Sequence, residues 1–187
     1  MRIRQATLQD MDGIFALLRK YHRDTIDPAD KPDGFVTTQM SNEQMTALIE
    51  KENGVTIAEE NGQIVAFALA APWAFWAEWP LFAHMIDILP SYTFDGIALT
   101  TENTYQYGPV CIDKSVRGSG VFEQVFAASL RSMEERYPIM VTFINQINDR
   151  SYAAHTRKAH MTEVGKFDFG DNHYYMMACP TDLFSDC

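Results

Sequence analysis

Tyr107-Gly108-Pro109-Val110-Cys111-Ile112-Asp113 reads as an apolar strand, and Val121-Phe122 opens a helical pattern that continues through Val125, Phe126, Leu130 and Met133 to about Tyr137. Between them lies a turn that carries Arg117-Gly118-Ser119-Gly120. A glycine-rich turn from strand to helix exposes unpaired backbone N–H groups at the positive end of a helix dipole, which suits an anion, most often a phosphate. So short a glycine pattern is a weak signal alone, and its weight depends on its flanks.

The chain has 187 residues, which predicts one domain spanning 1–187 with a real core. An apolar fraction of 47% is that of a globular protein. The formal charge of −10 argues against nucleic-acid binding, which needs a basic face. It fits a cationic small-molecule or peptide partner, or solubility alone. No apolar run approaches the ~18 residues of a membrane helix, and Met1-Arg2-Ile3-Arg4-Gln5 leads into a polar segment, unlike a signal peptide. Cys111, Cys179 and Cys187 are odd in number and lack metal-ligand spacing. His22, His84, His160 and His173 likewise show no ligand spacing, so no metal site is expected. A cytoplasmic protein without disulfides is the simplest expectation.

Residues 3–6 read as a first strand, and Ile14, Leu17, Leu18 and Tyr21 fall on one face of a helix. Asp27-Pro28 and Lys31-Pro32-Asp33-Gly34 break the chain into a loop. Ser41 and Gln44 form a capping box ahead of Met45, Leu48 and Ile49. Residues 55–60 and 63–70 form a hairpin about Asn61-Gly62, the favoured two-residue turn. An aromatic-rich insert at about 71–104 follows, with Trp73, Phe75, Trp76, Trp79 and Phe82 in two helical pieces divided by Pro80. It reads as extra core or a homodimer surface, or as a wall or lid over a ligand. After the opening stretch, residues 139–144 form a strand, residues from Asn148 to about Ala159 a helix, and residues 164–169 and 173–179 a hairpin.

These pieces resemble the GNAT superfamily of acetyl-CoA-dependent N-acetyltransferases. Ile3-Arg4-Gln5-Ala6-Thr7 with Asp10 resembles the family's opening strand and helix. Gly108-Pro109-Val110-Cys111-Ile112 followed by Arg117-Gly118-Ser119-Gly120-Val121 resembles its acyl-CoA motif, Q/R-x-x-G-x-G/A. Asn148, Ser151, His155 and Lys158, then Val164-Gly165-Lys166-Phe167, resemble its later helix and strand. The sequence departs from the family in two places. Phe122 takes the motif's last small position if Arg117 is its first, and Ala159-His160-Met161 replaces the usual glycine and aromatic residue.

The resemblance implies an α/β fold of the α+β type. Its central mixed sheet is flanked by helices and splayed between strands 107–113 and 139–146. Backbone N–H groups of Arg117, Gly118, Ser119, Gly120, Val121 and Phe122 would hold the pyrophosphate of acetyl-CoA. Val110, Cys111 and Ile112 would hold its arm, and an N–H near Cys111 or Ile112 would polarise the thioester carbonyl. Asn148 and Ser151 would contact the same cosubstrate. His155 stands where the family commonly has a tyrosine acid, so a proton-donating role is implied. An alkylamine with a pKa near ~10 must lose a proton before attack. Glu78, Asp87, Glu102 and Tyr107 are candidates for the base.

The implied activity is transfer of an acetyl group from acetyl-CoA to a primary amine of a small molecule or peptide. A non-catalytic acyl-CoA-binding or regulatory module is the alternative from another class, since the base is not identified. A transferase for a longer acyl group is the third, given the aromatic insert.

Overall fold

A computed structural model describes residues 1–184; Cys187 lies outside them. The elements run β1 (Arg2–Gln5), α1 (Met11–Tyr21), α2 (Asn42–Glu50), β2 (Val55–Glu60), β3 (Gln63–Ala71), α3 (Trp73–Trp76), α4 (Pro80–Ile88), β4 (Thr93–Phe94) and β5 (Ile97–Ala98). They continue with β6 (Thr104–Ile112), α5 (Val121–Met133), β7 (Ile139–Asn145), α6 (Asp149–Arg157), β8 (Thr162–Phe169) and β9 (Asn172–Pro180). A seven-stranded sheet has the order β1-β2-β3-β6-β7-β9-β8, and β4 with β5 form a separate two-stranded ribbon. Parallel β6–β7 pairing beside antiparallel β7–β9 and β8–β9 pairing makes the sheet mixed, as expected. The described chain falls into two compact units: Met1–Ala70 with Gly108–Ser132, and Ala71–Tyr107 with the residues from Met133 onward.

In the first unit, β1 pairs antiparallel with β2, and β2 with β3. Asn61 and Gly62, at φ of 52° and 78°, form the tight connection that matches the twist of the strands. The apolar stripe of α1 is buried at Ile14, Leu17, Leu18 and Tyr21, and that of α2 at Met45, Leu48 and Ile49. Ser41 caps α2 as expected: its Oγ accepts from Gln44 N at 3.1 Å, while Gln44 Oε1 accepts from Ser41 N at 2.8 Å. Arg4 donates to Asp10 at 2.7 Å and to Glu59 at 2.7 Å, tying β1 to the start of α1 and to β2. The hydrogen bond from Asp113 N to Val65 O, at 2.8 Å, fixes the end of β6 against β3.

In the second unit the aromatic insert buries Trp73, Trp76 and Phe82 and leaves Phe75 and Trp79 half-buried. Trp73 and Trp76 are buried, and their indole N–H groups donate to Thr104 Oγ1 at 2.8 Å and Ala71 O at 3.2 Å. A chain of rings runs from Trp76 to Phe82 at 4.9 Å, Phe143 at 5.6 Å, Tyr174 at 5.5 Å and Phe167 at 5.2 Å, laying α3 and α4 on one face of β7, β9 and β8. Tyr92 lies where Gly165 leaves room in β8, and its hydroxyl donates to Lys166 O at 2.8 Å.

Element boundaries move from the sequence expectation. The strand expected from Tyr107 begins at Thr104, because Thr104, Tyr105 and Gln106 form the parallel ladder with Ile139, Met140 and Val141. The helix expected to reach Tyr137 ends at Met133, although Arg136 N and Tyr137 N still bond to Met133 O. Residues 93–98, within the insert, form the β4–β5 ribbon, turned at Asp95 and Gly96 with φ of 49° and 78°.

Candidate functional site

The turn after β6 is assembled from within the first unit. Val110 and Ile112 are half-buried, while Cys111 between them is buried with its Sγ against Leu17 O at 4.0 Å. Burial pushes the Cys111 thiol up to about 12, so at neutral pH it is a small apolar group and not a thiolate. Asp113 then turns the chain. Its carboxylate accepts from Ser115 N at 2.9 Å, Ser115 Oγ at 2.8 Å and Lys20 Nζ at 2.5 Å. Burial alone would raise this carboxyl, but the Lys20 ammonium and the Ser115 donors outweigh it and hold it at about 2. Tyr21 Oη accepts from Lys114 N at 2.8 Å and anchors the same turn to α1.

Arg117 does not extend from the turn as an open cation. Its Nε donates to Ile112 O at 3.2 Å, its Nη1 to Asp33 at 2.8 Å, and its guanidinium lies 5.2 Å from the centre of the Tyr21 ring. Ser119 Oγ donates to Val116 O at 2.7 Å. Gly118 and Gly120 take φ of 80° and 82°, a conformation other residues adopt only with strain. A Cβ at Gly118 would meet nothing within 4 Å, so conformation and not crowding calls for glycine there.

The first ladder bond of α5 runs from Gln124 N to Gly120 O at 3.3 Å, and a helix leaves the N–H groups of its opening turn outside its own ladder. Such groups and the dipole of a 13-residue helix form a setting that suits an anion. Val121 is buried beneath it. Phe122, the departure from the family motif, sits on α5 with its ring 6.0 Å from that of Phe126 one turn further on, so it packs along the helix.

In the second unit, the β6–β7 ladder stops at Gln106 and Val141. The next carbonyl, that of Tyr107, is taken by two side chains: Gln106 Nε2 at 2.5 Å and Thr142 Oγ1 at 2.6 Å. Beyond it the Gly108–Pro109 peptide is cis and Gly108 has a φ of 110°. Sequence reading missed both Gln106 and Thr142. A buried glutamine within an apolar strand was the available signal, whereas Thr142 resembles any strand threonine.

The structure brings Tyr107, Ser151 and His155 together. Asn148 is the N-cap of α6, with Oδ1 accepting from Ser151 N at 3.1 Å. One turn on, His155 Nδ1 donates to Ser151 O at 2.8 Å, with Ser151 Oγ at 3.3 Å. That bond fixes the tautomer with the proton on Nδ1. His155 is buried, and desolvation lowers it to about 4. The expectation of a proton donor near neutral pH is therefore revised: here the imidazole is neutral. The Tyr107 ring centre lies 5.9 Å away, and burial raises its hydroxyl well above the ordinary tyrosine range. Glu78 is not part of this group; it is exposed in the connection between α3 and α4. Asp87 and Glu102 are exposed as well.

Among the described residues no cluster of three or more His, Cys, Asp or Glu side chains is placed to hold a metal, and no helix is long and apolar enough to cross a membrane.

No protein-family model and no curated protein matches the chain. Solved structures do. A ribosomal-protein-alanine N-acetyltransferase from Brucella melitensis superposes with a TM-score of 0.63 at 20% identity, covering 96% of this chain and 99% of its own. A GNAT-family acetyltransferase from Streptococcus pneumoniae gives 0.62 at 12% identity, covering 96% and 98%. A GNAT-superfamily phosphinothricin acetyltransferase from Sinorhizobium meliloti, in complex with acetyl-CoA, gives 0.60 at 16% identity, covering 96% and 87%. At these identities the likeness is one of fold, and the chain has the fold of the GNAT acetyltransferases.

Proposed function

We propose that this protein is an N-acetyltransferase that moves the acetyl group of acetyl-CoA to a primary amine of a small molecule or peptide. One observation carries the proposal: within this fold, β6 leads through Gly118 and Gly120, both at positive φ, into the N-terminus of α5. That is an anion-holding turn built from backbone. The N–H groups of Gly118, Gly120, Val121 and Phe122 would hold the pyrophosphate, with Ser119 N donating to Val116 O at 3.3 Å within the turn, and the half-buried edge at Val110 and Ile112 would hold the arm. Arg117 Nε would brace the turn through Ile112 O, while its Nη1 faces Asp33.

When bound, acetyl-CoA supplies an activated thioester. The chain must place the amine and take its proton. His155, neutral and with its proton held on Nδ1 by Ser151 O, does not supply an acid at neutral pH. Asn148 and Ser151 would position that ring through the start of α6. The cytoplasmic setting is proposed with the function, and the free thiols Cys111 and Cys179 support it.

A non-catalytic acyl-CoA-binding module is the second reading, favoured by the same histidine. His155 and Tyr107 are buried and shifted away from neutral titration, while Glu78 is at the surface. Calorimetric titration with acetyl-CoA, followed by a thiol-release assay over a panel of amines, separates the two. Binding with thiol release on at least one amine is expected. Binding without release across the panel would select the module, and absence of binding would overturn both.

A further inference from the structure

The turn after β6 carries two cations, Lys114 and Arg117, the only basic residues between Ile112 and Arg131. An anion held on the backbone of that turn would gain from both. Both already face carboxylates from the connection between α1 and α2. Lys114 Nζ lies 2.9 Å from Asp30 Oδ2 and 3.2 Å from its Oδ1, and Arg117 Nη1 lies 2.8 Å from Asp33 Oδ2. A third pair, Lys20 to Asp113 at 2.5 Å, joins the end of α1 to the same turn. The connection is acidic throughout, with Asp24, Asp27, Asp30 and Asp33 against Arg23 and Lys31.

Its local geometry is that of short turns and not of a packed element. Asp30 N bonds to Asp27 O at 2.9 Å, Asp33 N to Asp30 O at 3.1 Å, and Gly34 N to Lys31 O at 3.0 Å. Apart from Ile26, the side chains of residues 23–33 are exposed or half-buried. Residues 27–33 have no buried side chain, and the ion pairs of Asp30 and Asp33 tie them to the turn.

We infer that Asp30 and Asp33 compete with an anionic ligand for Lys114 and Arg117, so that residues 27–33 form an acidic strap that sets the affinity of the turn. The ligand class is a pyrophosphate-bearing molecule, and this inference rests on the cosubstrate reading above. Binding exchanges two carboxylate partners for phosphate oxygens and releases the strap. Exposed pairs of this kind are individually weak, so the exchange is within reach of a doubly charged ligand.

The test is calorimetry with two probes, acetyl-CoA and inorganic pyrophosphate, on the full chain. Asp30→Asn with Asp33→Asn is expected to tighten both probes about fivefold. Asp24→Asn, which removes a charge set against Arg23 at 3.4 Å and His22 at 3.6 Å, is expected to leave them unchanged. Equal tightening in Asp24→Asn would reduce the effect to net charge and overturn the strap, as would unchanged or weaker binding in the double variant. Hydrogen exchange on the unmodified protein decides the case should the double variant fail to fold. The amides of Asp30, Asp33 and Gly34 are expected to exchange faster with acetyl-CoA bound, and slower exchange would mean that the segment closes on the ligand instead. If the unmodified protein binds neither probe, the cosubstrate reading itself falls and takes the strap with it. Binding without the expected variant effect removes the strap alone.

Discussion

The ring centres of His155 and Tyr107 lie 5.9 Å apart in an edge-on contact, with both side chains buried. An imidazole in that setting is costly to protonate, and the hydrogen bond from Nδ1 to Ser151 O offsets only part of the cost. Folding therefore lowers His155 from 6.5 to about 4. The unfolded chain binds more protons than the folded one between those values. The resulting stability is present above pH 6.5 and is lost as pH falls through about 4. The span corresponds to about 3 kcal/mol. Urea midpoints are expected to fall between pH ~7 and ~4.5, and His155→Phe is expected to flatten that slope. Equal slopes in the two proteins would remove His155 as its source.

The element order was legible because it rests on local chemistry. Ser41 with Gln44 signals a helix start through two backbone donors, and Asn61-Gly62 signals a hairpin through its positive φ angles. The glycine turn after β6 was legible for the same reason, since Gly118 and Gly120 mark backbone conformations. What side chains do within the site depends on distant neighbours, and no local pattern announces it. That Asp33, 84 residues away in sequence, and the Tyr21 ring engage the Arg117 guanidinium could not be read from the motif. His155 looked like an acid until its burial was known. Phe122 departs from the motif, and only the structure places its ring beside Phe126 on α5.

Burial predicts the behaviour of the thiols. Cys111 and Cys179 are both pushed up to about 12 by desolvation. Neither offers a thiolate at neutral pH. In a Cys187→Ser variant, a disulfide thiol reagent is expected to find almost no rapid reaction in the native protein and two thiols in denaturant. Fast native labelling would contradict the packing at Leu17 O described for Cys111. The same inertness leaves a low background for a thiol-release assay.

Gly165 and Tyr92 form a steric pair. A Cβ at Gly165 would fall 2.5 Å and 2.7 Å from ring carbons of Tyr92, closer than packed atoms come. Gly165→Ala is expected to destabilise the protein by about 1–3 kcal/mol, the usual cost of overpacking. Tyr92→Ala loses ring packing and the hydrogen bond to Lys166 O at 2.8 Å. With the ring gone, adding Gly165→Ala should cost little more, a coupling that a double-mutant cycle measures directly. Additive losses would mean that the glycine is needed for its backbone and not for the ring.

Ser119 separates the charge of the turn from its fold. The side chain is exposed, and its hydroxyl donates to Val116 O at 2.7 Å. Ser119→Ala removes that bond, at a cost of about 1 kcal/mol in stability, and is expected to leave acetyl-CoA affinity nearly intact. Ser119→Glu loses the same bond but adds a carboxylate near the N-terminus of α5. Negative charge there suits the helix dipole, so the glutamate variant should be no less stable than the alanine one. For a pyrophosphate in the same place, that charge is repulsive. Acetyl-CoA is expected to bind at least about tenfold more weakly to Ser119→Glu than to Ser119→Ala, and the gap should narrow in ~0.5 M salt. Equal affinities for the two variants would mean that the phosphates do not lie at this turn, whatever the fold suggests.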